Sequence, residues 1–300
     1  MFSTTSGAVK LSLVVVIGLT GLKVAVSVIT GSISIFAQTA DSFFDLLAVT
    51  ISFFAISIAA KPADEEHPFG HGKVEDIAAI LQAVLIFTVG GLIIYSAIRR
   101  IITGVTVELT EAGIGVMLVS IIVSIFLSRH LLKVSQATGS TALEANARNI
   151  AADVYSAAAV LVGLAVVRFT GLSILDPIVA LVVALFILKI AYDILRKSFG
   201  GLIDVRLPKA EEDEIVSCIM QYRSQLVTFH KLRTRKAGNQ RFIEFHLVMP
   251  KNVSVEEAHR VSDHLEQDIE NRLQHTSITI HVEPCSTECD QCSVSCSLRK

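Results

Sequence analysis

Ala40-Asp41-Ser42-Phe43-Phe44-Asp45-Leu46 places two carboxylates one helical turn apart inside an apolar run from about Ile33 to Ala60. Asp at i and i+4 shares one helix face, so the pair offers a joint oxygen site rather than two scattered charges. Each Asp at the centre of a membrane helix costs roughly 2.5 to 3.5 kcal/mol on insertion scales, so two persist only with compensation, most simply a bound cation or proton. The surrounding run is long enough to cross ~30 Å of hydrocarbon.

The rest of the chain agrees with a membrane setting. Of 300 residues 52% are hydrophobic and only 18% charged, and the mean hydropathy is +0.60, too apolar for an ordinary soluble domain. The net charge of -2 and the lack of a dense basic cluster exclude nucleic-acid binding. Apolar windows near 10–30, 32–60, 76–102, 111–133, 142–168 and 173–195 predict six spans joined by short loops. The first has no small-residue cleavage site after it and is read as a retained helix.

Lys10, Lys61, Lys73, Arg129, Lys133, Arg148, Arg196 and Lys197 fall on one side of such a bundle, against Arg99, Arg100 and Arg168 on the other. The positive-inside bias then puts both termini in the cytoplasm of a plasma (inner) membrane protein. Lys23, midway along the first span, either snorkels or pairs with a bundle carboxylate; the sequence leaves both open.

After Gly200-Gly201 the charges return, at Asp204, Arg206 and Glu211 to Glu214. The domain reading is 1–202 for a six-helix transmembrane transport domain, 203–285 for a cytosolic domain and 286–300 for a Cys-rich tail. Within the cytosolic part the pattern predicts helix (209–223), strand (227–236), strand (240–249), helix (254–274) and strand (277–283), with Lys236-Ala237-Gly238-Asn239 as a hairpin turn. This αββαβ order fits a small open-faced α+β sandwich.

Four further sets of residues carry ligand chemistry. In the fifth span Asn149 and Asp153 repeat the i, i+4 spacing at a depth comparable to Asp41 and Asp45, so two helices offer four oxygen donors suited to a divalent cation; the bland reading is a pair of helix-packing contacts. Asp64, His67 and His71 lie at the cytoplasmic end of span two, where Pro68 and Gly70 favour a loop, either plainly solvated or converging on a metal. Six of the nine histidines, His230, His246, His259, His264, His275 and His281, lie in the cytosolic part, with Glu283 on the strand face of His281. Cys285, Cys289, Cys292 and Cys296 form C-x3-C-x2-C-x3-C, either a soft-metal shell or a reduced, disordered tail.

The spacing Asp41-x-x-x-Asp45, the run His67-Pro-Phe-Gly-His-Gly-Lys-Val-Glu75, Leu202-Ile-Asp204, and the stretch from His230-Lys-Leu-Arg-Thr-Arg235 through Arg241-Phe-Ile-Glu-Phe-His246 to Ile280-His281 together resemble the cation diffusion facilitator family. The similarity covers the chain to about Cys285 and is greatest to the bacterial ferrous-iron and zinc efflux branch. It implies a homodimer with a ferredoxin-like cytosolic domain that exchanges cytosolic divalent metal (Zn²⁺, Fe²⁺, with Mn²⁺, Co²⁺ or Cd²⁺ as further candidates) for protons by alternating access. It also implies no enzymatic activity and no catalytic cofactor, metal being cargo and a structural or regulatory ion of the cytosolic domain.

By the same resemblance Asp41, Asp45, Asn149 and Asp153 are transport ligands, and Asp64, His67 and His71 are the loop site. His230, His246, His259, His281 and Glu283 are cytosolic ligands, and Lys73 with Asp204 is a charge interlock. Asn149 stands where zinc-selective members usually have His, which shifts preference toward harder ions; Glu283 and Lys231 each replace an acid. Two other classes compete: a non-transporting membrane metal sensor built on the histidines, and a Mg²⁺-dependent intramembrane prenyltransferase. The latter needs basic partners near the aqueous edge that the Asp pairs lack.

Overall fold

In the computed structural model the described residues are 4–30, 33–103, 111–170 and 174–285. The chain divides into two compact units, Met1–Gly200 and Gly201–Lys300.

The first unit is a bundle of six helices: α1 (Thr5–Thr30), α2 (Ile33–Ala59), α3 (Val74–Thr103), α4 (Glu111–Thr138), α5 (Thr141–Thr170) and α6 (Leu175–Leu202). Among the described residues five of them, all but α5, are long and apolar enough to cross a membrane. α5 matches them in length, with the polar residues Glu144, Asn146, Arg148, Asn149 and Asp153 in its first half and a mostly apolar sequence in its second. Large apolar side chains point outward, as at Val14, Phe126 and Val182, the arrangement lipid requires.

α6 departs from expectation by running past Arg196 and Lys197 to Leu202 rather than ending near 195. Charges mark where the hydrocarbon stops, and a helix satisfies its own backbone bonds on either side of that level.

Small residues let the helices approach. Ala79 and Ala83 of α3 pack with Ala145 and Ala152 of α5 and with Ile187 and Ala191 of α6. A Cβ at Gly90 would lie 2.8 Å from the Leu188 side chain. Buried polar contacts fix the register: Gln82 Nε2 donates to Ser52 Oγ at 2.5 Å, Ser52 Oγ donates to the Ala142 carbonyl at 3.3 Å, and Asn146 Nδ2 donates to Ser12 Oγ at 3.1 Å.

The second unit comprises α7 (Lys209–Gln221), β1 (Thr228–Ala237), β2 (Gln240–Met249), α8 (Val255–Arg272) and β3 (Thr276–Pro284), the predicted αββαβ order. The sheet order is β1-β2-β3, with β1/β2 antiparallel and β2/β3 parallel. Gly238, at φ +61, takes the left-handed turn position that glycine accepts without strain.

α8 starts at Ser254, whose side chain accepts from the Glu257 N–H, a cap satisfying one of the helix's orphan donors. Its Ala258, Val261, Leu265 and Ile269 fall on one face and join Ile243, Phe245, Leu247 and Met249 of β2 in the core. By strand alternation, His246 and its neighbours two residues away face the opposite side of the sheet.

Candidate metal sites

Within the membrane unit, Asp45 on α2 and Asp153 on α5 line one cavity, together with Thr20 and Lys23 of α1, Ser42 of α2, and Ser120 and Ser124 of α4. Carboxylates from two helices thus reach one hydroxyl-lined space, as a polyvalent cation in a low-dielectric setting needs. Asp41 lies on α2 one turn before Asp45. Asn149, a turn before Asp153, is buried but is not among the residues lining the cavity.

The 61–73 connection forms a turn that folds back on Asp64. The Asp64 carboxylate accepts from the His67 backbone N–H at 2.7 Å and faces His67 Nδ1 at 3.2 Å and His71 Nε2 at 3.3 Å. Gly70, at φ +80, supplies the reversal, its N–H donating to the His67 carbonyl at 2.9 Å. One donor atom from each of Asp64, His67 and His71 lies within 4.8 Å of the others. The His67 backbone bond, followed by the two nearby imidazoles, holds the Asp64 carboxyl below the usual aspartate range, so it stays ionised. His71 Nδ1 is buried without a hydrogen-bond partner among the described residues. Two imidazoles and a carboxylate are a donor set that fits a divalent transition metal.

In the second unit the register aligns His230 with His246 and His246 with His281 across all three strands, a row of imidazoles on the face away from the helices. Glu283 joins them. Its carboxylate lies 2.6 Å from His246 Nδ1, 3.3 Å from His230 Nε2 and 3.6 Å from His281 Nε2. The hydrogen bond with His246 is the main cause holding Glu283 below the usual glutamate range. His230, His246 and Glu283 converge within 4.8 Å, and this set also fits a transition metal. A glutamate in place of aspartate therefore still reaches the imidazoles.

A register shift between His230 and Arg233, with Lys231 at φ 53, inserts one extra residue. The bulge puts both His230 and Arg233 on the histidine face, which strict alternation forbids. His259 is elsewhere: on α8, 74% exposed and paired with Asp263 at 3.3 Å. Asp204 pairs with Arg235 at 3.4 Å, and Lys73 immediately precedes α3. Cys285 is buried and, just past the end of β3, its N–H donates to the Met249 carbonyl at 2.8 Å; Cys289, Cys292 and Cys296 lie outside the described residues.

Sequence reasoning passed over Glu75, although it belongs to the quoted His67–Glu75 run. Only 5% exposed, it accepts from Ser140 Oγ at 2.5 Å and from the Ala142 N–H at 3.4 Å, capping the start of α5. Glu144 was likewise missed; it bridges Arg148 at 3.0 Å and Lys197 of α6. For the start of α5 the local signal was Ser140, an N-cap residue whose Oγ accepts from the Leu143 N–H at 3.2 Å.

Residues 9–203 match the family profile described as the cation efflux transmembrane domain, and residues 207–285 match that of the cation efflux protein cytoplasmic domain. An uncharacterized transporter of Synechocystis sp. is 34% identical over 88% of this chain and 85% of its own. The cation-efflux pump FieF of Salmonella typhi is 34% identical over 86% of this chain and 85% of its own. A solved structure of CzrB in its Zn form is 40% identical over 26% of this chain and 90% of its own, at a TM-score of 0.26. The chain is a multi-pass membrane protein belonging to the cation diffusion facilitator family of cation-efflux transporters.

Proposed function

We propose that this protein exports divalent transition-metal cations from the cytoplasm across the inner membrane in exchange for protons, as a homodimer with both termini cytoplasmic. The observation that carries the reading is the cavity shared by Asp45 and Asp153 on separate helices. Asp41, Asp45 and Asp153 are the charged ligands of the cargo, with Asn149 as a neutral neighbour.

Metal binds only deprotonated carboxylates, so protons arriving from the far side compete with it at the same oxygens and couple the two fluxes. The FieF relatives are cation-efflux pumps by name, which supports the direction. Zn²⁺, Fe²⁺ and Mn²⁺ are the leading cargoes; His230, His246 and Glu283, with His281 beside them, hold a resident or regulatory ion.

In proteoliposomes carrying an internal metal indicator and a pH indicator, Asp45→Ala or Asp153→Ala abolishes both metal uptake and metal-driven proton movement. Normal flux in either variant refutes the assignment. A competition panel of Zn²⁺, Fe²⁺, Mn²⁺, Co²⁺ and Cd²⁺ shifts toward Zn²⁺ in Asn149→His.

A further inference from the structure

Lys23 sits within α1 (Thr5–Thr30), separated from the helix end by about 10 Å at ~1.5 Å per residue. Its ammonium crosses to the neighbouring helix, where Nζ donates to Ser42 Oγ at 2.6 Å. Ser42 is 2% exposed and lies between Asp41 and Asp45 in sequence. Lys23 also lines the cavity that contains Asp45 and Asp153. Two other hydroxyls of the same cavity, Thr20 Oγ1 and Ser120 Oγ, are buried without a hydrogen-bond partner among the described residues. Polar groups thus stand in a wall that is otherwise largely apolar, and the space holds a positive charge in the place that the function reserves for a cation.

We propose that Lys23 is the affinity-setting residue of the transport cavity. Anchored on Ser42, its ammonium opposes the charge of an arriving divalent cation and keeps binding weak enough for cargo to leave. This rests on the transport reading above. A lone Asp cluster in a medium of low dielectric would bind a dication tightly and release it slowly. One facing unit charge across a single cavity, at an effective dielectric of about 20, weakens that binding by roughly tenfold or more. Ser42 keeps the ammonium off the carboxylates themselves, so the same hydroxyl protects the cargo's ligands.

The two residues make opposite predictions, which a purely structural role does not. With the full-length protein in proteoliposomes, initial rates of Zn²⁺ uptake against Zn²⁺ concentration separate KM from kcat. Lys23→Met lowers KM about tenfold or more and lowers kcat, because release becomes limiting; Lys23→Arg, which keeps the charge, restores both toward the wild-type values. Ser42→Ala raises KM, because the released ammonium then competes at the carboxylates.

An unchanged or raised KM in an active Lys23→Met protein overturns the proposal. If Lys23→Met does not yield folded protein, an unchanged KM in Ser42→Ala overturns it instead. Asp153→Ala is run alongside. Uptake that survives in Asp153→Ala sinks the transport assignment itself, whereas lost uptake there with an unaltered KM in Lys23→Met sinks only the role of Lys23.

Discussion

Replacing Glu75 by Ala tests whether a buried carboxyl holds the helix that carries Asp153. Glu75 accepts from Ser140 Oγ at 2.5 Å and from the Ala142 N–H at 3.4 Å. Ser140 Oγ in turn accepts from the Leu143 N–H at 3.2 Å. Removing the carboxyl leaves a buried hydroxyl proton and an α5 backbone N–H without their acceptor. An unsatisfied buried donor costs about 1–3 kcal/mol, and the loss of a cap interaction costs about 1 kcal/mol. The expected destabilisation is therefore about 2–4 kcal/mol, most of it from the short Ser140 bond, because 3.4 Å is a weak contact. Glu75→Gln keeps an acceptor oxygen and costs less, about 1 kcal/mol.

The assay is unfolding of the purified protein in mixed micelles by titration with a denaturing detergent. A double-mutant cycle with Ser140→Ala isolates the pair. A coupling energy of about 1–2 kcal/mol is expected. A Glu75→Ala cost below about 0.5 kcal/mol, or a coupling indistinguishable from zero, refutes the view that this carboxyl anchors α5.

In the second unit, Glu212 accepts from Arg206 and from Thr234 Oγ1 at 2.8 Å, and the Arg206 bond is the main cause holding its carboxyl below the usual glutamate range. The stability it contributes is full above the unfolded value of about 4.3 and is lost as pH falls through the lower folded value. Glu212→Gln is thus less stable than wild type at pH 7, and the difference shrinks in thermal unfolding below about pH 4.

His246→Ala removes the imidazole that lies 2.6 Å from Glu283. The full-length protein should bind fewer equivalents of Co²⁺ by absorption spectroscopy while keeping Asp45-dependent transport. An unchanged equivalence would place that ion elsewhere. Gly238→Val forces a β-branched residue to φ +61 and destabilises the hairpin by about 1–3 kcal/mol in the same unfolding assay.

The bundle was legible because lipid imposes a length and an apolar composition that the sequence must carry openly. The positions of Asp45 and Asp153 were readable for the same reason: a carboxylate inside an apolar window has nowhere inconspicuous to go. The element order of the second unit was legible from alternation, and the Gly238-Asn239 turn from its chemistry.

What escaped depends on contacts between elements distant in sequence. Burial of Glu75 follows from packing against Ser140 and Ala142, far along the chain, and nothing in the local sequence separates it from the exposed Glu65 and Glu66. The bulge at Lys231 needs the partner strand to define it. His259 looked like its fellow histidines in sequence, yet its helix places it against Asp263 instead of Glu283.

The loop and the transport helix are closer in the covalent structure than their roles suggest. The first turn of α3 is built on the loop itself, with Val74 N–H donating to the His71 carbonyl at 3.1 Å and Glu75 N–H to the Gly72 carbonyl at 3.1 Å. From that turn the Glu75 carboxyl reaches the start of α5, and α5 carries Asp153 into the cavity. An ion held by Asp64, His67 and His71 binds only the folded turn, so by mass action it stabilises the turn and the contacts that depend on it. Glu75 is the residue through which that stabilisation reaches α5. Weakening it by substitution at Ser140, which touches neither the loop ligands nor the transport ligands, should therefore reduce the protection against unfolding that added Zn²⁺ confers. Protection equal to wild type in Ser140→Ala would show that the loop and α5 are energetically independent.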